Sequence, residues 1–350
     1  MSVTITIYVI RGTNVTMHDQ PLVSILTPVY NGASYLKECI DSVLAQTYSH
    51  WEYIIINNCS TDNTLEIACE YATKYSSIRV HDNTEFLGVI ANHNLAFSLM
   101  SPAAKYCKVV SADDFIFPDC VSQMVDLAEA NPTVGLVGVY LLAGKRVLCD
   151  GLQYEQKVVN GREISRATLL GGPYVFGSPT SLLYRADLIR KGKAFYPHSN
   201  PHADTTACYE SLEHSDFGFV HQVLAYARIH ADSQTSKSLK VGTYELALVG
   251  DLTRFGPKYL SPAELEQRLE YYLEPYYRVV VNMLLERARN KEFLDQQKIA
   301  LQQIGLRFSF TRLMKTAFHM AIGILLRPGV AIKKISAAKR NAGKIEAQYY

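Results

Sequence analysis

The sequence predicts an α/β protein with a doubly wound, mostly parallel sheet and a helical C-terminal extension. Short apolar runs rich in β-branched residues alternate with segments of helical periodicity from Leu22 to Tyr140, the pattern of a parallel sheet with crossover helices. Turn and cap residues stand at the ends of these runs. The chain has 350 residues, 48% hydrophobic and 19% charged. That suits one large folded domain with an appendage and excludes a disordered chain.

Residues 1–20 read as an N-terminal extension. They open MSVTITIYVIRG, with no basic leader before the apolar stretch, so a secretory signal is not expected. Leu22–Thr27 is a buried strand closed by Pro28, and Asn31-Gly32 makes a turn. From Ser34 to Gln46, Leu36, Cys39, Ile40, Val43 and Leu44 recur at helical spacing. Tyr53–Ile56 is a second strand ending in Asn57-Asn58, and Thr61 to Thr64 cap a helix over Glu66–Lys74. A strand at Ile78–His81 and a helix at Asn92–Met100 follow. Tyr106–Val110 is the strand that feeds Asp113-Asp114, before a helix over Pro118–Asn131 and a strand at Val134–Tyr140. From Leu141 to about Leu170 the pattern is hairpin-like, with Asn160-Gly161 as a turn. After Ser233 the chain is mostly helical, with apolar segments at Tyr271–Ala288 and Leu313–Leu326.

Two adjacent carboxylates disfavour joint ionisation, and a divalent cation shared with phosphate oxygens removes that penalty. Asp113-Asp114 therefore suggests a site for a nucleotide diphosphate, although an Asp pair after a strand also serves as a plain turn or cap. In a doubly wound sheet, ligands sit beyond the carboxyl ends of the strands. Pro28–Tyr30, Asn57–Asn58 and Asp113–Asp114 all fall there, which favours the functional reading.

The blocks TPVYNGASYLKECIDSVLAQTYSHWEYIIINNCSTDNT, SADDFIFPD, HADTTACY and LAYARIHADSQT occur in that order. Together they resemble family 2 glycosyltransferases, an inverting group with a GT-A nucleotide-sugar fold, over roughly residues 22–236. The resemblance implies a catalytic domain over 21–236 and a helical basic region over 237–350. It implies that Asp114, assisted by Asp113, holds Mn²⁺ or Mg²⁺ on the diphosphate, with His230 completing the coordination. Pro28 and Tyr30 would contact the nucleoside, Tyr30 through its ring. Asn58 stands where many relatives carry Asp against the base; its amide offers both an acceptor and a donor, which favours uracil and a UDP-sugar. His93 stands where relatives often have Arg, and Gly177 lies in a glycine-bearing loop, GGPYVFGSP, that would line the donor. Asp204 would be the general base that activates the acceptor hydroxyl. Many relatives have Glu-Asp there and this chain has Ala203-Asp204, which leaves one carboxylate in the motif. The implied partners are a nucleotide-sugar donor and a saccharide or lipid-linked acceptor of cell-envelope or exopolysaccharide synthesis.

Two rival readings stand beside this one. A sugar nucleotidyltransferase would want a basic, glycine-rich phosphate loop after the first strand, where PVYNGAS stands instead. A non-catalytic sugar-binding scaffold descended from such an enzyme would fit the missing acidic residues at positions 57, 58 and 203.

The net charge is +2, from 35 Lys and Arg against 33 Asp and Glu. Residues 296–345 carry ten of the bases and no acid, leaving the rest at −8. No nucleic-acid motif accompanies them, so nucleic acid is not expected as a partner. No apolar run is long enough to span a bilayer. The tail, residues 298–344, either packs on the protein or makes a peripheral contact with an anionic membrane. The seven cysteines are scattered, without a C-x-x-C, as in a reduced, cytoplasmic protein without a zinc site.

Overall fold

The computed structural model describes residues 20–192, 194–197, 202–230, 243–286 and 291–326. Most of the N-terminal extension, the boundary at 236, the HADSQT end of the closing block and the tail beyond 326 lie outside the described residues. Within them the strands are β1 (Val23–Val29), β2 (Trp51–Asn57), β3 (Ile78–Asp82), β4 (Tyr106–Val109), β5 (Phe115–Ile116), β6 (Val134–Ala143), β7 (Arg146–Leu148), β8 (Val158–Val159), β9 (Leu182–Arg185) and β10 (Asp216–Ala227). The helices are α1 (Leu36–Leu44), α2 (Thr64–Lys74), α3 (Val89–Ser98), α4 (Cys120–Ala130), α5 (Gly161–Leu169), α6 (Ala186–Arg190), α7 (Ala203–Leu212), α8 (Thr243–Tyr259), α9 (Pro262–Glu286), α10 (Lys291–Gln303) and α11 (Phe310–Leu326).

One sheet runs in the order β3-β2-β1-β4-β9-β6-β10-β5. Strands β3, β2, β1 and β4 are parallel neighbours. Strand β9 is antiparallel to both β4 and β6, and β10 is parallel to β6. Two reversals restore the direction, so β1, β2, β4, β6 and β10 all point their carboxyl ends to one edge. Every residue of β1 except Pro28 is buried, as expected of a strand covered on both faces.

Two elements differ from the sequence reading. Pro28 does not close β1; the strand runs on to Val29, with Pro28 opposite Ile56. The ladder to β4 ends at Leu26–Val109. At Pro28 the strand therefore has a neighbour on one side only, where a missing N–H is tolerated. Asn160-Gly161 is not a hairpin turn but the start of α5. The Asn160 side chain accepts from Arg162 N and Glu163 N, an N-cap. A Cβ on Gly161 would stand 1.9 Å from Ser215 O, so only glycine lets this helix start so close to the loop before β10.

The helical region packs against the sheet domain through α8, whose Leu252, Phe255 and Tyr259 join the main core. A second, smaller core gathers Tyr276, Tyr277, Val280 and Val281 of α9 with Leu301 and Leu313. One face of α11 thus packs on the protein.

Candidate active site

The carboxyl-end loops of β1 and β2 interlock. Asn58 N donates to Val29 O at 2.9 Å, Asn31 N to Ser60 Oγ at 2.9 Å, and Thr61 N to Asn31 Oδ1 at 2.8 Å. The loop after β4 carries Asp113 and Asp114, and β10 ends at the same edge just before Arg228 and His230. Helix α7 leads through residues 213–215 directly into β10, so its first turn, with Asp204, lies toward that edge.

The two aspartates have different surroundings. Asp114 is buried, with both carboxylate oxygens engaged: Thr180 Oγ1 donates to Oδ2 at 2.6 Å and Arg228 N to Oδ1 at 3.1 Å. Burial, reinforced by the charge of Asp113, pushes its carboxyl up to about 7, against the opposing pull of Thr180, Arg228 N and Lys108. Asp113 has a side chain about one-third exposed, and its Oδ2 lies 2.8 Å from His230 Nε2. The order of the pair is therefore inverted relative to the sequence reading: Asp114 is the residue built into the protein, and Asp113 faces His230.

Arg228 holds this loop to the rest. Its Nε donates to Asp113 O at 3.1 Å, its Nη2 pairs with Glu38 Oε2, and its guanidinium lies 4.6 Å from the Tyr35 ring centroid. A planar cation on an aromatic face is a stiff support. Below the loop, Lys108 is fully buried in β4 and donates to Thr180 O and, at 3.1 Å, to Leu182 O. Burial lowers its pKa. A lysine inside the apolar run YCKVV was the one signal in the sequence for this buried cation.

Asn58 is 3% exposed, and its acceptor is taken. Oδ1 accepts from Leu87 N and from Asn83 Nδ2, both at 2.9 Å, while Nδ2 donates to Leu87 O at 2.7 Å. The side chain pins the loop from Asn83 to Leu87 and does not present the acceptor-donor pair expected for a base. That loop brings Phe86 edge-on to Tyr30, with ring centroids 4.9 Å apart. Both rings are exposed at the rim, an apolar platform of the size of a base. Pro28 lies behind it, in β1.

His93 Nδ1 lies 2.9 Å from Val89 O, and the ring stacks on Tyr196 with centroids 5.6 Å apart. Burial holds its imidazole below the ordinary range, although the Val89 carbonyl and the charge of Asp204 oppose this. It is a neutral residue at neutral pH, not a substitute cation. Asp204 accepts from Thr205 N at 2.9 Å in the first turn of α7, where the helix N-terminus favours a carboxylate. Thr205 is also joined to Tyr174 Oη at 2.8 Å, which ties α7 to the glycine loop. One turn into the helix, Thr206 donates to Asp251 Oδ1 of α8 at 2.7 Å. Gly177 has φ +60°, and a Cβ there would meet Ser181 Oγ at 2.3 Å and Cys149 Sγ at 2.6 Å. Its glycine is required by the protein's own packing, whatever lines the pocket. Thr180, Lys108 and Asp251 were not singled out from the sequence.

Among the described residues no group of three or more His, Cys, Asp or Glu side chains could hold a metal ion. Asp113 with His230 offers one oxygen and one nitrogen, a donor set that suits Mn²⁺ completed by substrate oxygens.

The Glycosyl transferase family 2 model matches residues 24–192. The chain belongs to that family. Strands β1 to β9 and helix α6 lie within the family 2 match, and α7 and β10 follow it. An uncharacterized glycosyltransferase of Haemophilus influenzae is 29% identical over 195 residues, 54% of this chain and 59% of that relative. Among solved structures, S. aureus TarS 1-349 in complex with UDP-GlcNAc superposes with a TM-score of 0.61 at 17% identity, covering 81% of this chain and 80% of that one. The mannosyltransferase PcManGT from Pyrobaculum calidifontis, in complex with GDP-Man and Mn²⁺, gives 0.53 at 16% identity, covering 91% and 84%. The family 2 domain thus has the GT-A fold.

Proposed function

We propose that this family 2 enzyme transfers a sugar, with inversion, from a nucleotide diphosphate to a hydroxyl of a saccharide or lipid-linked acceptor in cell-envelope or exopolysaccharide synthesis. The observation that carries the proposal is the 2.8 Å approach of His230 Nε2 to Asp113 Oδ2 at the carboxyl edge of the sheet. This pair would hold Mn²⁺ or Mg²⁺, which when bound neutralises charge on the departing diphosphate. Asp114 keeps the loop in place from beneath. Tyr30 and Phe86 offer their ring surfaces to the base. The GT-A likeness to a protein in complex with UDP-GlcNAc supports a UDP-sugar over other donors.

Asp204 takes the proton of the acceptor hydroxyl. The freed oxygen attacks the anomeric carbon, the bond from that carbon to the diphosphate oxygen breaks, and the nucleoside diphosphate leaves. Cytoplasmic work at the inner face of a membrane, through the basic tail, fits a lipid-linked acceptor; among the described residues no helix is long and apolar enough to cross one.

Donor hydrolysis with UDP- and GDP-sugars, with and without Mn²⁺, tests the reading. Turnover of a UDP-sugar that needs the metal and is lost in Asp204→Asn is the expected result. Failure of every donor to bind or turn over would overturn it.

A further inference from the structure

Helix α11 has two apolar faces, and only one of them is used. Leu313 and Thr316 are buried, and Ala317 and Met320 pack with Leu313 against the core around Tyr276 and Tyr277. Phe310, Met314, Phe318 and Leu325 recur at helical spacing on a neighbouring stripe and are between 52% and 77% exposed. Four large apolar side chains in one open line are more than scattered surface residues. Beside them on the same helix stand Lys315 and His319, both exposed. The helix begins inside the acid-free stretch 296–345, which holds ten Lys and Arg.

We infer that this stripe of α11 is a docking surface for an anionic lipid bilayer, entered in the plane of the headgroups. Rotated against the packed face, the stripe leaves α11 anchored to α9 while its phenylalanines and leucine reach outward. Seventeen residues make a helix of about 25 Å, shorter than the roughly 30 Å hydrocarbon core. It therefore lies on the surface, with bases at its flank facing lipid phosphate. The charge selects the occupant. Two copies meeting through this face would bring two acid-free basic stretches together, which repels, whereas an anionic leaflet neutralises them. The surface deepens the proposed glycosyl transfer, because it would hold the catalytic edge near a lipid-linked acceptor.

Flotation of the full chain with phosphatidylcholine vesicles, with and without about one-third phosphatidylglycerol, tests this. At low salt, partition into the anionic vesicles should exceed that into neutral ones by at least about tenfold, and should fall in high salt. Met314→Glu/Phe318→Glu should remove it, and Lys315→Glu should reduce it about fivefold. Both variants change exposed positions, so their thermal unfolding should match the parent. Equal partition into neutral and anionic vesicles overturns the inference. So does a double variant that still floats, or one that loses dimerisation instead of vesicle binding. Donor hydrolysis by the same samples separates the two readings: lost flotation with intact turnover sinks the docking surface alone, and flotation without turnover sinks the transferase.

Discussion

Thr180 Oγ1 donates a 2.6 Å hydrogen bond to Asp114 Oδ2, joining the turn before β9 to the acidic loop after β4. The same threonine accepts from Ser111 N at 3.1 Å through that hydroxyl and from Lys108 through its carbonyl. A buried carboxylate, a buried ammonium and the loop backbone thus share one residue. Thr180→Val should cost about 2–3 kcal/mol, the worth of a hydrogen bond to a charged group together with the acceptor left unpaired. Thr180→Ser should recover most of it. Urea unfolding of both variants decides the matter.

Metal affinity should divide the aspartates. Asp113→Ala and His230→Ala should each weaken Mn²⁺ binding in the presence of UDP by about tenfold or more, as loss of a ligand or its direct neighbour does. Asp114→Asn, which keeps an oxygen for Thr180, should leave that affinity nearly unchanged. Electron paramagnetic resonance of free Mn²⁺ reads the difference, and equal losses in all three would remove the distinction.

Asn58→Ala should free the loop from Asn83 to Leu87. It leaves Leu87 N and Leu87 O without partners, for a cost of about 2 kcal/mol. Because the side chain's acceptor serves the loop, the KM for a UDP-sugar should rise while the preference for UDP- over GDP-sugar stays the same. A changed preference would show that Asn58 reads the base directly.

Asp251 is buried, and burial pushes its carboxyl from 3.8 up to about 7, against the hydrogen bond from Thr206. A folded-state pKa above the unfolded one means the native protein binds more protons between those values. Stability from this group is therefore present at low pH and is lost as pH rises through about 7. Asp251→Asn, which can still accept from Thr206, should remove that loss. It should raise stability by about 1–3 kcal/mol at pH 8 and by little near pH 4. Thermal unfolding across that range measures it, and a variant less stable than the parent at pH 8 contradicts the account.

Gly177→Ala should destabilise the protein by about 2 kcal/mol or more, through a left-handed backbone and a Cβ overlapping Ser181 and Cys149. Calorimetry without any donor present should register the full loss. A loss seen only with donor bound would return the glycine to the ligand pocket.

The convergence of the first three loops was legible because β1, β2 and β4 are continuous apolar runs closed by polar turns. That pattern fixes both the parallel direction and the edge where the loops meet. Pro28 misled because a proline reads as a strand end unless one knows that β4 stops short of it. Asn160-Gly161 misled because the same dipeptide opens a hairpin or caps a helix, and only the approach to Ser215 decides. The partners of Asp114 were hidden for a different reason. Thr180 lies 66 residues away and arrives through a strand of opposite direction, which no local spacing announces. Asn58 looked free to face a ligand because its amide chemistry is visible in sequence, whereas the loop that uses up its acceptor is not.

Strand β9, running against both neighbours, divides the sheet into a half led by β1 to β4 and a half led by β6 and β10. The family match ends at residue 192, just after that seam. Everything that follows, α7 with Asp204 included, hangs on the far half. Such a layout behaves as an interchangeable tool head on a common handle. Grafting the chain after residue 192 onto a relative's first half should carry acceptor choice with the graft and leave donor choice with the host.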